Sequence, residues 1–182
     1  RIDRLERLAM LLRENEAALC ESLQADFGQR SLSNAAMTEI AYPISAIRYA
    51  QKHLRAWMKD EPRKVTLLPR LLGARARVRY QPLGVVGVIS PWNFPVNLAV
   101  APLTDILAAG NRAMVKPSEH TPRNSALLAE LVARYFSDEE VAVFPGGLEA
   151  GEAFARLPFD HLVFTGAGTI ARHVMRAASE HL

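Results

Sequence analysis

The sequence predicts an α/β fold: an open parallel sheet with helices on both faces, preceded by a layer of helices. Three observations carry this. Short apolar or β-branched runs recur late in the chain, at residues 85–90, 112–116, 141–144 and 161–164. Each is followed by a segment with helical spacing, and strand–helix alternation forces neighbouring strands parallel. Before residue 60 no such runs occur, and apolar residues instead recur at three- and four-residue steps between Arg and Glu.

Taken in order, residues 1–26 read as one amphipathic helix with Ile2, Leu5, Leu8, Leu12, Leu19 and Leu23 on its apolar side. Phe27-Gly28 ends it. A second helical pattern spans 34–59, with Ile40, Ile44, Ile47, Leu54 and Trp57 inward, and Pro43 should kink or divide it. Residues 60–72 read as a loop, and 76–80 alternate as an exposed strand does. Pro82-Leu83-Gly84 makes a turn before the buried strand at 85–90. A helix over 97–109 stops at Gly110-Asn111, and a second strand covers 112–116. Thr121-Pro122 supplies an N-cap and a first-turn proline to a helix carrying Leu127, Leu128, Leu131 and Val132. A strand at 141–144, a turn at Pro145-Gly146-Gly147, a short helix over 149–156, a strand at 161–164 and a helix over 169–179 complete the order. Residues 1–75 are therefore expected to be a helical segment packing on the sheet, and 76–182 most of one open α/β domain, incomplete at its end.

Composition narrows the function classes. Apolar residues make up 49% of the 182, which suffices for a packed core and excludes wholesale disorder. The 22 Lys and Arg against 19 Asp and Glu leave a charge of +3, too small for a nucleic-acid footprint. The run Arg70, Arg75, Arg77, Arg79 has only Tyr80 interleaved and reads better as a solvated strand at a subunit edge. One cysteine, Cys20, excludes an internal disulfide framework, and no metal-ligand spacing joins the five histidines. No run reaches the ~18 apolar residues of a membrane span. A cytoplasmic setting without membrane partner is the expectation. The chain starts at Arg1 inside a charged helical pattern, so it is expected to be cut from something longer.

Ligands of open parallel sheets bind beyond the carboxyl ends of the strands. The polar and glycine-rich residues collect there: Ser90-Pro91-Trp92-Asn93-Phe94-Pro95, Lys116-Pro117-Ser118-Glu119, Pro145-Gly146-Gly147 and Thr165-Gly166-Ala167-Gly168. Thr165–Gly168 before a helix offers backbone N–H groups to a phosphate, although the G-x-G-x-x-G fingerprint is absent. Lys116 and Glu119 either grip two ribose hydroxyls or form a local ion pair on a surface turn. Asn93, between two prolines, is either a turn residue or a fixed amide donor for an oxyanion. Cys20, far in sequence from these loops, reads as a structural thiol.

Taken together the segments Pro82-Leu83-Gly84-Val85-Val86-Gly87-Val88-Ile89, Pro91-Trp92-Asn93-Phe94-Pro95, Leu107-Ala108-Ala109-Gly110-Asn111, Lys116-Pro117-Ser118-Glu119-His120-Thr121-Pro122, Pro145-Gly146-Gly147 and Phe164-Thr165-Gly166 resemble the aldehyde dehydrogenase superfamily, in particular its class 3-like and bacterial coniferyl aldehyde branch. They occur in family order along the whole chain. The resemblance implies oxidation of an aldehyde to a carboxylic acid with NAD, or NADP, through a cysteine thiohemiacetal and thioester. It implies that Asn93 donates its amide to the oxyanion. Ile89, Ser90, Pro91 and Trp92 would line the cofactor cleft, and Lys116 and Glu119 would hold the adenosine ribose. Gly147 would allow close approach at the adenine side, and Gly166 and Ala167 would sit by the pyrophosphate. Glu119 would disfavour a 2′-phosphate and so favour NAD. Ala167 and Ala171 stand where many relatives have Ser and Gly, so the hydroxyl contact of those relatives is missing while backbone donors remain.

The resemblance further implies a homo-oligomer, dimer or tetramer, and places the catalytic Glu and Cys beyond residue 182. These 182 residues alone are then expected to show no NADH production from an aldehyde. Two other classes fit parts of the pattern: a same-fold acyl-CoA or acyl-phosphate reductase, against which the Pro-Trp-Asn-Phe-Pro run speaks, and a non-catalytic nucleotide-binding or interaction module.

Overall fold

The computed structural model describes residues 1–181. Helices α1 (Ile2–Glu14) and α2 (Glu16–Phe27) replace the single helix expected over 1–26. Asn15 divides them: its side-chain amide donates to the Leu11 carbonyl at 2.8 Å and lies 3.1 Å from the Tyr135 hydroxyl. An Asn that bonds its own backbone competes with the helix ladder. Ile2, expected inward, is 41% exposed, because the apolar stripe begins at Leu5.

Helix α3 (Leu32–Ala35), a π-helical turn (Ala36–Ala41) and helix α4 (Tyr42–Trp57) follow without a break. The π turn explains how the chain passes Pro43. Proline has no N–H for the carbonyl four residues back, here that of Glu39, and its ring would collide with it. Widening the preceding turn moves that carbonyl aside. Trp57, expected in the core, is 46% exposed at the end of α4, where it stacks on His53 and lies tilted beside Tyr49. The expected loop 60–72 contains strand β1 (Glu61–Arg63) and helix α5 (Leu67–Leu71). β1 pairs antiparallel with β2 (Ala76–Val78), and Asp60 binds Arg77 and Arg79 at 3.1 and 2.7 Å. Part of the basic run is thereby neutralised.

The main sheet contains β3 (Val85–Ile89), β4 (Arg112–Lys116), β5 (Val141–Val143) and β6 (His161–Phe164). They are parallel, in the order β5-β4-β3-β6. Helices α6 (Asn97–Ala109), α7 (Pro122–Tyr135), α8 (Leu148–Ala155) and α9 (Gly168–Ala178) connect and follow them. Every expected strand and helix of this half is present, with bounds that differ by a residue at most. Gly110 ends α6 in the left-handed region at φ 90°, where a Cβ would be strained.

One core joins the helical layer to the sheet. α6 is buried by Ala99, Val100, Leu103, Ile106, Leu107 and Ala108, and packs between β3 and β4 on one side and α1 and α4 on the other. α2 packs on α7. The Thr121 hydroxyl, expected to cap α7, is buried without a hydrogen-bond partner among the described residues. Asp26 at the end of α2 does the capping instead, accepting from the Arg123 and Asn124 N–H groups at 3.2 and 2.9 Å. A tertiary cap replaces a local one because α2 crosses the start of α7. Asp26→Ala is expected to cost ~1 kcal/mol of stability in urea unfolding, whereas Thr121→Val should cost less.

Candidate functional site at the strand ends

Strand β6 lies beside β3 while β4 and β5 extend the other way, so the sheet has a topological switch point between β3 and β6. At such a point two loops leave in opposite directions and open a crevice. Register brings the ends together: Ile89 is the partner of both Lys116 and Phe164. The Ser90 N–H donates to the Lys116 carbonyl at 3.1 Å and the Thr165 N–H to the Ile89 carbonyl at 3.1 Å. Ile89, Ser90, Lys116 and the segment 165–167 thus share one end of the sheet. Gly147 opens α8 from the end of β5, one strand further out.

The side chains there have distinct characters. The Ser90 hydroxyl is buried, with no protein partner among the described residues. Such an orphan costs stability unless a ligand or water satisfies it. Lys116 is not on a surface turn: only 4% of its side chain is exposed. Its Nζ donates to the Pro117 carbonyl at 2.6 Å and lies 3.7 Å from Glu119 Oε2. Burial pushes the Lys116 pKa below the usual lysine range, and Glu119 pulls it back up. The ion-pair contact expected between them is present, but on a buried strand end rather than a surface turn. Gly147 has open space where a Cβ would stand, whereas a Cβ on Gly166 would run into the Phe164 ring. Ala167 is the N-cap of α9, whose first N–H groups have no carbonyl of their own helix to bond.

Pro91, Trp92, Asn93 and Phe94 form the irregular link from β3 to α6. Trp92 is 51% exposed, its ring centroid 6.1 Å from that of Phe27. The Asn93 carbonyl accepts from Arg30 Nη1 at 3.1 Å. The Asn93 side-chain amide makes no hydrogen bond among the described residues and is exposed.

Sequence reasoning missed Arg30 and Glu39. Glu39 sits in the π turn with no exposed surface. Its Oε2 accepts from the Asn97 N–H at 2.8 Å at the start of α6, and its Oε1 lies 2.5 Å from Arg30 Nη2. The latter contact is an ion pair by distance, without a well-directed N–H···O line. Burial pushes the Glu39 pKa up, while the Asn97 N–H and Arg30 pull it down. The only sequence signal for Glu39 is its place four residues before Pro43.

A separate hollow of about 540 Å³ lies among α1, α2, α3 and the π turn, lined by Arg13, Glu14, Cys20 and Leu32 among others. It shares no residue with the strand-end cluster. Burial pushes the Cys20 thiol up, which keeps it protonated and a poor nucleophile. Among the described residues no three His, Cys, Asp or Glu side chains gather as a metal site, and no helix is long and apolar enough to cross a membrane.

The sheet order and the loops past its carboxyl end define an open α/β protein with a switch point between β3 and β6. Comparison with known proteins makes the class specific. Residues 1–182 match the aldehyde dehydrogenase family over their whole length, and the chain belongs to that family. It is 50% identical to the coniferyl aldehyde dehydrogenase of a Pseudomonas species and 37% identical to aldehyde dehydrogenase family 3 member B3 of Mus musculus. All of this chain is covered in both, but only 37% of each relative, so the chain spans little more than a third of their length. Among solved structures, the substrate-bound Staphylococcus aureus AldH superposes with a TM-score of 0.94 at 32% identity, covering 100% of this chain and 39% of that one. The NAD+ complex of a Bacillus cereus aldehyde dehydrogenase gives 0.85 at 26% identity, covering 100% and 36%. The α/β fold and the family expected from the sequence are both borne out.

Proposed function

We propose that the chain forms the cofactor-side part of an NAD(P)-dependent aldehyde dehydrogenase, and that Asn93 is its oxyanion donor. The observation that carries this is the juxtaposition at the switch point. The orphan Ser90 hydroxyl, the buried Lys116 beside Glu119, and the open N-terminus of α9 line one end of the sheet. The uncommitted Asn93 amide stands in the loop leaving the same strand.

NAD or NADP, when bound, supplies the hydride acceptor. The chain's own groups do the holding. Lys116 Nζ would donate to one hydroxyl of the adenosine ribose and Glu119 would accept from the other. The Glu119 carboxylate repels a 2′-phosphate, which favours NAD. Ile89, Ser90, Pro91 and Trp92 line the cleft and exclude water. The missing Cβ of Gly147 would admit the adenine edge, and the Gly166–Ala167 backbone at the start of α9 would meet the pyrophosphate with N–H groups and a favourable helix dipole. When a nucleophile adds to the aldehyde carbon, negative charge gathers on the carbonyl oxygen. An amide donor fixed beforehand stabilises that charge without reorganising. The relatives named for coniferyl aldehyde make an aromatic aldehyde the favoured substrate class. A homo-oligomer in the cytoplasm is the proposed setting.

Fluorescence titration with NADH tests the holding residues. Lys116→Met keeps the buried volume and removes the donor, and Glu119→Gln removes the charge. Lys116→Met is expected to weaken binding by roughly 10-fold, the loss of a hydrogen bond to a charged group. Glu119→Gln should narrow the preference for NADH over NADPH. Unchanged affinity in both variants would remove these two residues from the cofactor site.

A further inference from the structure

We propose that Arg30 and Glu39 form a buried latch that fixes the backbone of the Trp92-Asn93-Phe94 loop, which makes both of them positioning residues for Asn93. The inference rests on Asn93 being the oxyanion donor.

The latch spans three elements that are distant in sequence. Arg30 lies between α2 and α3, Glu39 in the π turn, and the loop between β3 and α6. One guanidinium makes both connections: Nη1 donates to the Asn93 carbonyl at 3.1 Å and Nη2 lies 2.5 Å from Glu39. The same group lies over two rings, 4.9 Å from the Phe27 centroid and 5.2 Å from that of Phe94. Phe27 in turn faces Trp92. The other Glu39 oxygen holds the Asn97 N–H, so one carboxylate ties the guanidinium to the start of α6. The loop is therefore gripped at the Asn93 carbonyl, at the Phe94 ring and at its far end.

Stability alone does not explain this pair. A buried ion pair offsets its desolvation only when geometry and further hydrogen bonds are good, and an apolar replacement is often no less stable. Here the guanidinium's contacts all lead to the residues flanking one amide. The π turn also follows from this geometry. It is the turn in which the residue four before Pro43 carries the carboxylate that reaches α6. Arg is needed rather than Lys, since only a planar fork can reach a carbonyl and a carboxylate while stacking on rings.

The quenching test uses these 182 residues with Trp57→Phe as background, so that Trp92 is their sole indole. Glu39→Gln keeps an acceptor for the Asn97 N–H but removes the charge facing Arg30, and Arg30→Gln removes the fork. Urea unfolding checks that each variant is folded. Trp92 is expected to become more accessible to acrylamide in both, with the double variant no worse than either single one. In the intact enzyme kcat should fall ~10- to 100-fold, the effect of misplacing a catalytic group by about an ångström, with the cofactor KM rising by much less. Unaltered Trp92 quenching in folded variants overturns the latch. Altered quenching with unchanged kcat, while Asn93→Ala loses kcat, overturns the positioning role. If Asn93→Ala itself keeps full kcat, the oxyanion assignment fails, and the two failures are separable because Trp92 quenching does not pass through turnover. A measurement on the unsubstituted chain covers variants that fail to fold. Nitrogen-15 NMR of its arginines should show one guanidinium with slowed rotation and slow proton exchange that reports contacts to both Phe27 and Phe94. Fast averaging of every guanidinium overturns the proposal.

Discussion

Asn93→Ala is expected to lower kcat for aldehyde oxidation in the intact enzyme by ~10²- to 10³-fold, with the substrate KM nearly unchanged. A group that acts only on charge developing in the transition state lowers kcat and kcat/KM together. The size follows from commitment. The Asn93 carbonyl is held by Arg30 at 3.1 Å, and prolines 91 and 95 restrict the backbone on either side. The side-chain amide makes no hydrogen bond among the described residues and is left free to donate. Asn93→Asp should lose at least as much, because a carboxylate would face the oxyanion it is meant to stabilise. Steady-state NADH production by the two variants and the parent enzyme measures this. Wild-type kcat in Asn93→Ala would assign the oxyanion to another donor.

Glu140→Gln is expected to lose ~2–3 kcal/mol of stability near neutral pH and almost none at about pH 2. Glu140 precedes β5 and binds Arg4 at 2.9 Å and Arg7 at 2.8 Å. Arg7 also donates to the Tyr135 carbonyl at 2.7 Å and lies 4.7 Å from the Phe136 ring centroid. These contacts hold the carboxyl down from its ordinary 4.5 to about 2. Glu140 lowers the Arg7 tendency to lose its proton in return. The folded chain releases this proton more readily than the unfolded one. The stabilisation is therefore complete above the ordinary carboxylate value and is lost as pH falls from 4.5 through about 2. The 21% exposure of the carboxylate argues for the lower part of that range, since solvent screens the pair. Urea unfolding at several pH values measures it. A constant gap between Glu140→Gln and the parent from neutral pH to pH 2 would mean that the effect is one of packing rather than charge. The clamp lies at the opposite end of the sheet from Ser90 and Lys116, so cofactor titrations should be unaffected.

The parallel half of the fold was legible because its signals are local. Runs such as 85–90 and 112–116 are short, largely apolar and followed by Pro, and each became a strand within a residue of its expected bounds. The helical half was less legible. Asn15 and Pro43 both interrupt an apolar stripe, and a stripe does not tell whether the interruption ends a helix, divides it or widens one turn. Their outcomes depend on distant partners: Tyr135, 120 residues from Asn15, and the Asn97 N–H on α6, which donates to Glu39 of the π turn from 58 residues away. Likewise Thr121-Pro122 has every local feature of a cap, yet Asp26 from a crossing helix occupies that position.

By itself, then, the sequence determined the α/β class, the parallel strand-helix order and the loops that meet at the strand ends. Periodicity and turn chemistry are written within a few residues of where they act. Tertiary structure alone decided the strand order β5-β4-β3-β6, the burial of Lys116 beside Glu119, and the linking of Arg30 and Glu39 to Asn93. Those depend on which distant segments share a desolvated volume. There a charge must find a partner or be neutralised, and that condition exists only once the chain has packed.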